Sequence, residues 1–300
     1  MATTFLTMQD EALGFVGITQ GAGVSALRTK VKRFLNRAGR DFWGRYPWKE
    51  RKATGTVLTA EPYSTGTFAV TQGSAAVTGS GTTWVAAHTG MKFAKSISSP
   101  YYTFTRTGAT TGTLDRNYAE TTETAGAYIL YQDVYALSTS AESLLSQEFV
   151  IHRDGAGAAN TILRAESEEL WSFPRGSGTP LWWALHDVSA GAMRVRFGPY
   201  VPDTTFWVRY GYLALYTEMS ADGDECVVPE RWRHVIIHGA LRELFLALND
   251  PERAMMWGRM FEEGIARAWL QYTASEPLVT QMHSWDEGRP GNTHTFTIVS

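Results

Sequence analysis

The sequence predicts an α+β protein: a helical bundle of an N-terminal helix and a C-terminal α-hairpin, with an inserted small antiparallel β sandwich or barrel and a further β segment. Three observations predict it. Leu27, Val31, Phe34, Leu35, Ala38 and Phe42 fall on one stripe of a 3.6-residue helix. Helical spacing returns over 227–270 and breaks once, at Asn249-Asp250-Pro251. Between these segments, residues 53–137 are rich in Thr, Gly, Ser, Tyr and Val and carry no long helical pattern. An apolar fraction of 44% over 300 residues is enough to bury a real core, in one large domain or two smaller ones.

Residues 1–52 form the first part of the expected bundle. A short helix is predicted near Met8–Phe15, followed by a glycine-rich loop. Ser25 is placed to cap the next helix, because its hydroxyl can accept an orphan backbone N–H. That helix runs to about Arg45, and Pro47 ends it. Opposite its apolar stripe lie Arg28, Lys32, Arg33, Arg37 and Arg40.

Residues 53–137 read as an inserted β module of five or six short strands. Thr65–Trp84 gives two of them, joined at Gln72-Gly73-Ser74, and "YYTFTRTGATTGTLDRNY" gives a second pair. "GAYILYQDVYAL" supplies another. Residues 138–226 are mixed. "EFVIHR" reads as a strand, and "ANTILRAESEELWSF" as a short helix from the spacing of Ile162, Leu163, Leu170 and Trp171. "MRVRFGPYV" and "TFWVRYGYLALY" read as two strands of a hairpin around Pro199–Asp203. The α-hairpin occupies 227–272. An extended tail, 273–300, regains alternation only at "THTFTIVS".

Net charge is only −3, so overall charge names no partner. Its distribution is informative: from Arg28 to Lys52 ten Lys/Arg stand against two acids. Such a cluster suits phosphate backbones, acidic protein surfaces or plain solvent. The lone Cys226 excludes an internal disulfide and fits a reducing compartment. No apolar run is long enough to cross a membrane as a helix, and no signal-peptide pattern opens the chain.

Catalytic chemistry finds no support. His234 and His238 lie one helical turn apart, as in zinc proteases, but Val235 stands where those enzymes need Glu. Gly155-x-Gly157-x-x-Asn160 lacks the third glycine of a dinucleotide loop. There is no phosphate-binding loop and no nucleophile elbow. Asp224 and Glu225 beside Cys226 disfavour a thiolate. The expectation is a protein without catalysis, metal or cofactor. Trp182-Trp183, with Trp171, Trp207 and Tyr200, offer an alternative: a receptor- or carbohydrate-binding module that stacks sugars on aromatic rings. Neighbours on a strand face opposite ways, so at most one of the pair can join such a platform.

The order of segments carries a resemblance. "LNRAGRDFWGRYPW" precedes a β module with "VTQGSAAVTGSGTTW" and "TLDRNY". "YQDVYALSTSAESLLS", "RAESEELWSF", "TPLWWAL" and "RVRFGPYVP" follow, then "VPERWRHVIIHGALRELFLALNDPERA". Over about 28–270 this order resembles the phage head-to-tail adaptor proteins, also called head completion or connector proteins. The resemblance implies a structural virion protein at the head–tail interface, made in the host cytoplasm. It implies a homo-oligomeric ring, usually of twelve copies, between the portal protein and a tail (nozzle or tube) protein. Packaged double-stranded DNA would pass through that ring without specific contacts, and no membrane would be involved. The basic helix would then line the DNA channel or face a partner. Trp232, Trp257 and Trp269 would seal neighbouring subunits. The tail would reach the portal, with Trp285, Phe296 and Ile298 as its anchors.

Overall fold

The architecture is mostly β. A computed structural model describes residues 3–17, 24–153, 159–165 and 176–275, and among them seventeen strands and four α-helices form. The expectation of a helical bundle carrying a small inserted sandwich is overturned. Its largest unit is an eight-stranded sheet, and a seven-stranded sheet stands beside it. The physical reason is signal strength. A 22- or 25-residue helix repeats its apolar stripe many times, whereas strands of two to nine residues repeat theirs once or twice.

In chain order the first strands are β1 (Lys52–Leu58), β2 (Thr67–Val70), β3 (Ala76–Ser80), β4 (Lys92–Ala94), β5 (Tyr102–Arg106), β6 (Thr111–Leu114), β7 (Glu123–Gly126), β8 (Ile129–Tyr131) and β9 (Val134–Ala136). They continue as β10 (Ala141–Leu144), β11 (Glu148–Arg153), β12 (Ala159–Arg164), β13 (Gly176–Ser177), β14 (Trp182–Ser189), β15 (Ala192–Gly198), β16 (Tyr200–Val201) and β17 (Phe206–Ala214).

The large sheet runs β1-β17-β11-β12-β14-β15-β9, with β10 also on β17. Its end strands β1 and β9 share one core. Val57 and Tyr135 pack in the same cluster as Ile151, Ile162, Trp183 and Val208. The Tyr135 hydroxyl also accepts a hydrogen bond from the Ala60 backbone N–H, 3.1 Å away, just past β1. The sheet therefore curls until its ends nearly meet, as a strongly twisted sheet with one apolar face tends to do.

The seven-stranded sheet runs β7-β2-β3-β6-β5-β4-β8 and has an aromatic core of its own, including Phe68, Trp84, Phe93, Phe104, Tyr118 and Tyr128. The turn expected at Gln72-Gly73-Ser74 joins β2 to β3, and Gly73 takes a φ of 82° there.

Three local expectations for the β segments fail. Ile162 and Leu163 lie on β12, a strand between β11 and β14, not on a helix. Residues 166–175, with Leu170 and Trp171, lie outside the described residues. The segments 192–198 and 206–214 are both strands but not a hairpin: β15 pairs with β14 and β9, while β17 pairs with β1, β10 and β11. "GAYILYQDVYAL" is likewise divided between the two large sheets.

The helices α1 (Phe5–Val16), α2 (Val24–Arg45), α3 (Arg233–Ala247) and α4 (Pro251–Ser275) share one further core. The stripe of α2 is buried at Val31, Phe34, Leu35, Ala38 and Phe42, with Leu27 partly covered. Burying such side chains contributes ~1.5–3 kcal/mol each for the larger ones. Ser25 sits inside the first turn of α2 rather than capping it. At its other end the Trp48 indole N–H donates to the Phe42 carbonyl at 3.0 Å, supplying a donor to one of the last-turn carbonyls of α2. Asn249, at φ 62°, turns α3 into α4, and Asp250 accepts from the Arg253 N–H at 3.1 Å. Pro251 opens α4, where its missing N–H costs nothing.

Candidate functional site

The cationic face of α2 is the strongest charge feature of the sequence, and the fold surrounds it with carboxylates. Arg28 pairs with Asp10 of α1 at 2.7 Å, and Lys32 with Asp222 at 2.6 Å. Arg37 pairs with Glu243 of α3 at 3.0 Å, and Arg40 with Glu218. Lys32, then the Gln9 amide, hold the Asp222 carboxyl below its ordinary range. Arg33 is exposed, lies over the Phe34 ring and has no ion-pair partner among the described residues. Four of the five predicted cations thus bind their own chain, tying α1, α3 and the segment 218–222 to α2.

These residues border an open cleft of about 460 Å³. Lys32, Arg33, Arg37 and Arg40 form one side, and Glu218 lies across from them. Phe5 and Met219, both nearly fully buried, supply apolar lining. Asn36 fixes the far wall: its amide donates to the Met219 carbonyl at 2.8 Å and accepts from the Met219 N–H at 2.9 Å. Four cations line the cleft, and at its edge the Ser220 hydroxyl donates to the Asp224 carboxylate at 3.2 Å, a carboxylate also taken up by the Ser220 and Ala221 N–H groups.

The three tryptophans expected at a subunit contact are engaged within the chain. Trp257 is buried, with the Phe15 ring edge-on at 5.0 Å. Trp269 stacks on Tyr46 at 4.4 Å and on Tyr272 at 5.3 Å. Trp232 is partly buried against the helical core. Trp285, Phe296 and Ile298 lie outside the described residues.

His234 is exposed and His238 half-buried, their rings 5.7 Å apart. Burial, then neighbouring His234, pushes the His238 pKa down, and its Nδ1 has no hydrogen-bond partner among the described residues. Among the described residues, no group of three or more His, Cys, Asp or Glu is placed to hold a metal ion. Burial pushes the Cys226 thiol up, so desolvation governs it rather than the adjacent acids. No helix among the described residues is long and apolar enough to cross a membrane. Trp183 is core: it is 1% exposed and stacks on Phe149 at 4.1 Å, which removes it from any sugar platform.

One surface carries Trp207 and Trp182, two of the aromatic residues weighed for a stacking platform, among aliphatic side chains that the sequence reading did not add to them. On the outer face of the large sheet, Leu58 sits opposite Trp207, and Trp207 opposite His152. Val150 sits opposite Arg209 and Thr161, and Leu163 beside Trp182. Leu58, Trp207, Val150 and Leu163 are each between 37% and 52% exposed on the face opposite the core, with His152, Arg209 and Thr161 set among them. The strict alternation of "FWVRYGY" was the available signal, since it puts Trp207 and Arg209 opposite to Phe206, Val208 and Tyr210. A second exposed apolar group, Met255, Met256 and Met260, lies on α4.

A comparison with curated proteins finds no match. The family model described as SU10 adaptor protein matches residues 3–281, which covers the helices, both large sheets and the cationic cleft. The chain therefore belongs to the SU10 adaptor protein family, a family of phage structural adaptors.

Proposed function

We propose that the protein is one subunit of a closed ring that joins the portal of a phage head to the tail and continues the DNA channel, without chemistry of its own. The match to an adaptor family over residues 3–281 carries this reading. The surface supports it further. A ring needs head-to-tail contacts between two unlike patches. The chain exposes two: the aromatic and aliphatic face around Trp207, and the methionine face of α4. Methionine side chains adapt readily to an aromatic surface. In this reading these faces seal neighbouring copies, and Trp257 and Trp269 stiffen each subunit from within.

Double-stranded DNA passes through the ring without specific contacts. The ion pairs along α2 leave little free charge for phosphates, so that face suits a protein partner, the portal or the tail nozzle or tube protein, better than DNA. The tail, with Trp285, Phe296 and Ile298, reaches the portal, and the copy number is that of the portal template. The location is the head–tail junction of the virion.

Electron microscopy of the protein mixed with its portal tests the reading. Rings seated on the portal are expected, together with their loss in Trp207→Lys, whose side chain is half-exposed and whose fold should survive. Deleting residues 285–300 should abolish attachment to the portal. A protein that stays monomeric on portal at saturating concentration would sink the ring, and unchanged attachment after the deletion would sink the role given to the tail.

A further inference from the structure

We propose that the cleft beside α2 is a docking site for an acidic peptide segment of a partner protein, one that carries an apolar side chain next to its carboxylates. The proposal rests on the adaptor reading and names the chemistry of the partner at its cationic face. Three observations carry it: the charge count, the shape and the stiffness of the cleft.

Five cations (Lys32, Arg33, Arg37, Arg40 and Arg242) and four carboxylates (Glu218, Asp222, Asp224 and Glu243) meet at this cleft and its border, Asp224 being held by the Ser220 and Ala221 N–H groups. Lys32 is matched by Asp222, and Arg40 by Glu218. Glu243 is divided between Arg37, at 3.0 Å, and Arg242, at 2.9 Å. Arg33 has no acid among the described residues. One positive charge is therefore left over, and it falls around Arg33 and Arg37, which are one helical turn apart on the same exposed face. A carboxylate placed between two such guanidiniums accepts from both. The neighbouring intrachain pairs show that carboxylates reach these side chains at 2.6–3.0 Å.

The shape favours a peptide over duplex DNA. The cleft is concave and holds about 460 Å³, room for one or two side chains. The aliphatic stems of Lys32, Arg33, Arg37 and Arg40, over a floor of Phe5 and Met219 that are 1% and 3% exposed, give it apolar lining, for which a phosphate backbone has no counterpart. A convex, evenly charged duplex would touch only its rim. The wall is also held in place: the two Asn36–Met219 hydrogen bonds fix 218–220 against α2, so little ordering is needed on binding.

Fluorescence anisotropy on the full-length protein at low salt tests the site. The probes are a labelled Asp-Glu-Trp-Glu-Asp peptide, the same peptide with Gly for Trp, and a labelled duplex DNA. The Trp peptide is expected to bind saturably. Its affinity should fall by about tenfold or more with Arg33→Glu and Arg37→Glu together, and be largely kept with Arg33→Lys. Both arginines are exposed, so circular dichroism should report an unchanged fold. Equal binding of the Gly peptide would overturn the apolar part of the proposal. Peptide binding that ignores the double reversal, or duplex DNA binding that depends on the same two residues, would overturn the site. Portal rings without peptide binding would sink the cleft alone; peptide binding without rings would sink the adaptor reading and leave the cleft standing.

Discussion

Asp133 holds two sheets together with one carboxylate oxygen. Its Oδ2 accepts from Lys92 Nζ of β4 at 2.7 Å and from Arg196 Nε of β15 at 2.9 Å. Its backbone carbonyl accepts from the Phe197 N–H at 2.8 Å. Asp133 is 3% exposed and the Arg196 side chain 7%, so neither charge is relieved by water. Burial lowers the Lys92 pKa, and Asp133 acts in the opposite direction. Asp133→Asn keeps the shape and removes the negative charge that Lys92 and the buried Arg196 both face. The expected loss is about 3 kcal/mol in urea unfolding. A loss under about 1 kcal/mol would put this cluster in the class of exposed ion pairs. His238 makes a second prediction, because its folded pKa lies below its unfolded one, through burial first and His234 second. Above the unfolded value both states are neutral and nothing is lost. As pH falls through the unfolded value toward the folded one, only the unfolded chain takes up a proton, and stability declines. His238→Gln should flatten that decline between about pH 7 and 5, measured as urea midpoints across the range; an unchanged slope would assign it elsewhere. Neither residue's role was legible in the sequence. Asp133 gains its cations from strands 41 and 63 positions away, and no local pattern announces that.

At the scale of elements, the helices were legible and the strand partners were not. "NDP" announces the α3–α4 turn because its three residues divide the work locally. Asn249 takes the left-handed backbone, Asp250 caps the next helix, and Pro251 fills its first position. By contrast, β12 shows two adjacent apolar residues, Ile162 and Leu163, which suit either structure. Only the pairing of Phe149 with Ile162 and of Leu163 with Trp182 decides it, and those partners come from strands outside the local segment. Close packing of the helices is equally invisible beforehand. A Cβ on Gly239 of α3 would stand 2.8 Å from Ala38 Cβ and 2.9 Å from the Phe261 ring. Ala38 is anchored to α2 and Phe261 is fully buried, so neither can retreat cheaply. Gly→Ala in a helix interior gains about 1 kcal/mol from backbone propensity, while overpacking costs ~1–3 kcal/mol. Gly239→Ala should therefore lower the melting temperature. Gly14→Ala in α1, whose Cβ would meet nothing within 4 Å, should raise it. Equal shifts in both variants would mean that propensity outweighs packing here.

For the whole molecule, the order of segments pointed to a phage adaptor family, whereas the fold class drawn from periodicity and composition was wrong. Order survives in a sequence because each motif is local. The balance between sheet and helix does not, because it depends on whether dispersed short strands find one another. The seven-stranded sheet gives a test of how the two β units divide the work of folding. It has its own aromatic core, and the chain enters and leaves it through a narrow neck, where Tyr63 and Leu130 exchange backbone hydrogen bonds of 2.9 and 2.8 Å. The large sheet brings its end strands β1 and β9 near each other, and these flank that neck in the chain. Replacing residues 61–132 by a short Gly-Ser loop keeps Val57, Tyr135 and the Arg196–Asp133 pair, and removes Lys92. The removed side of the contact also includes Ala94 and Tyr131, which pack on Val201. Ending the loop at Asp133 preserves the closure but uncovers Val201, a small apolar loss beside the intact barrel core. The shortened chain should thus fold cooperatively, with a modestly lower melting temperature and near-ultraviolet circular dichroism that retains the signals of Trp183 and of the helical tryptophans. It should also still form rings on the portal, since neither the Trp207 face nor the α4 methionines belong to the excised part. Failure to fold would mean that the two sheets form one cooperative unit, with the Asp133 cluster as its obligatory joint. A folded chain that no longer forms rings would move the subunit contact onto the excised sheet and away from the Trp207 face.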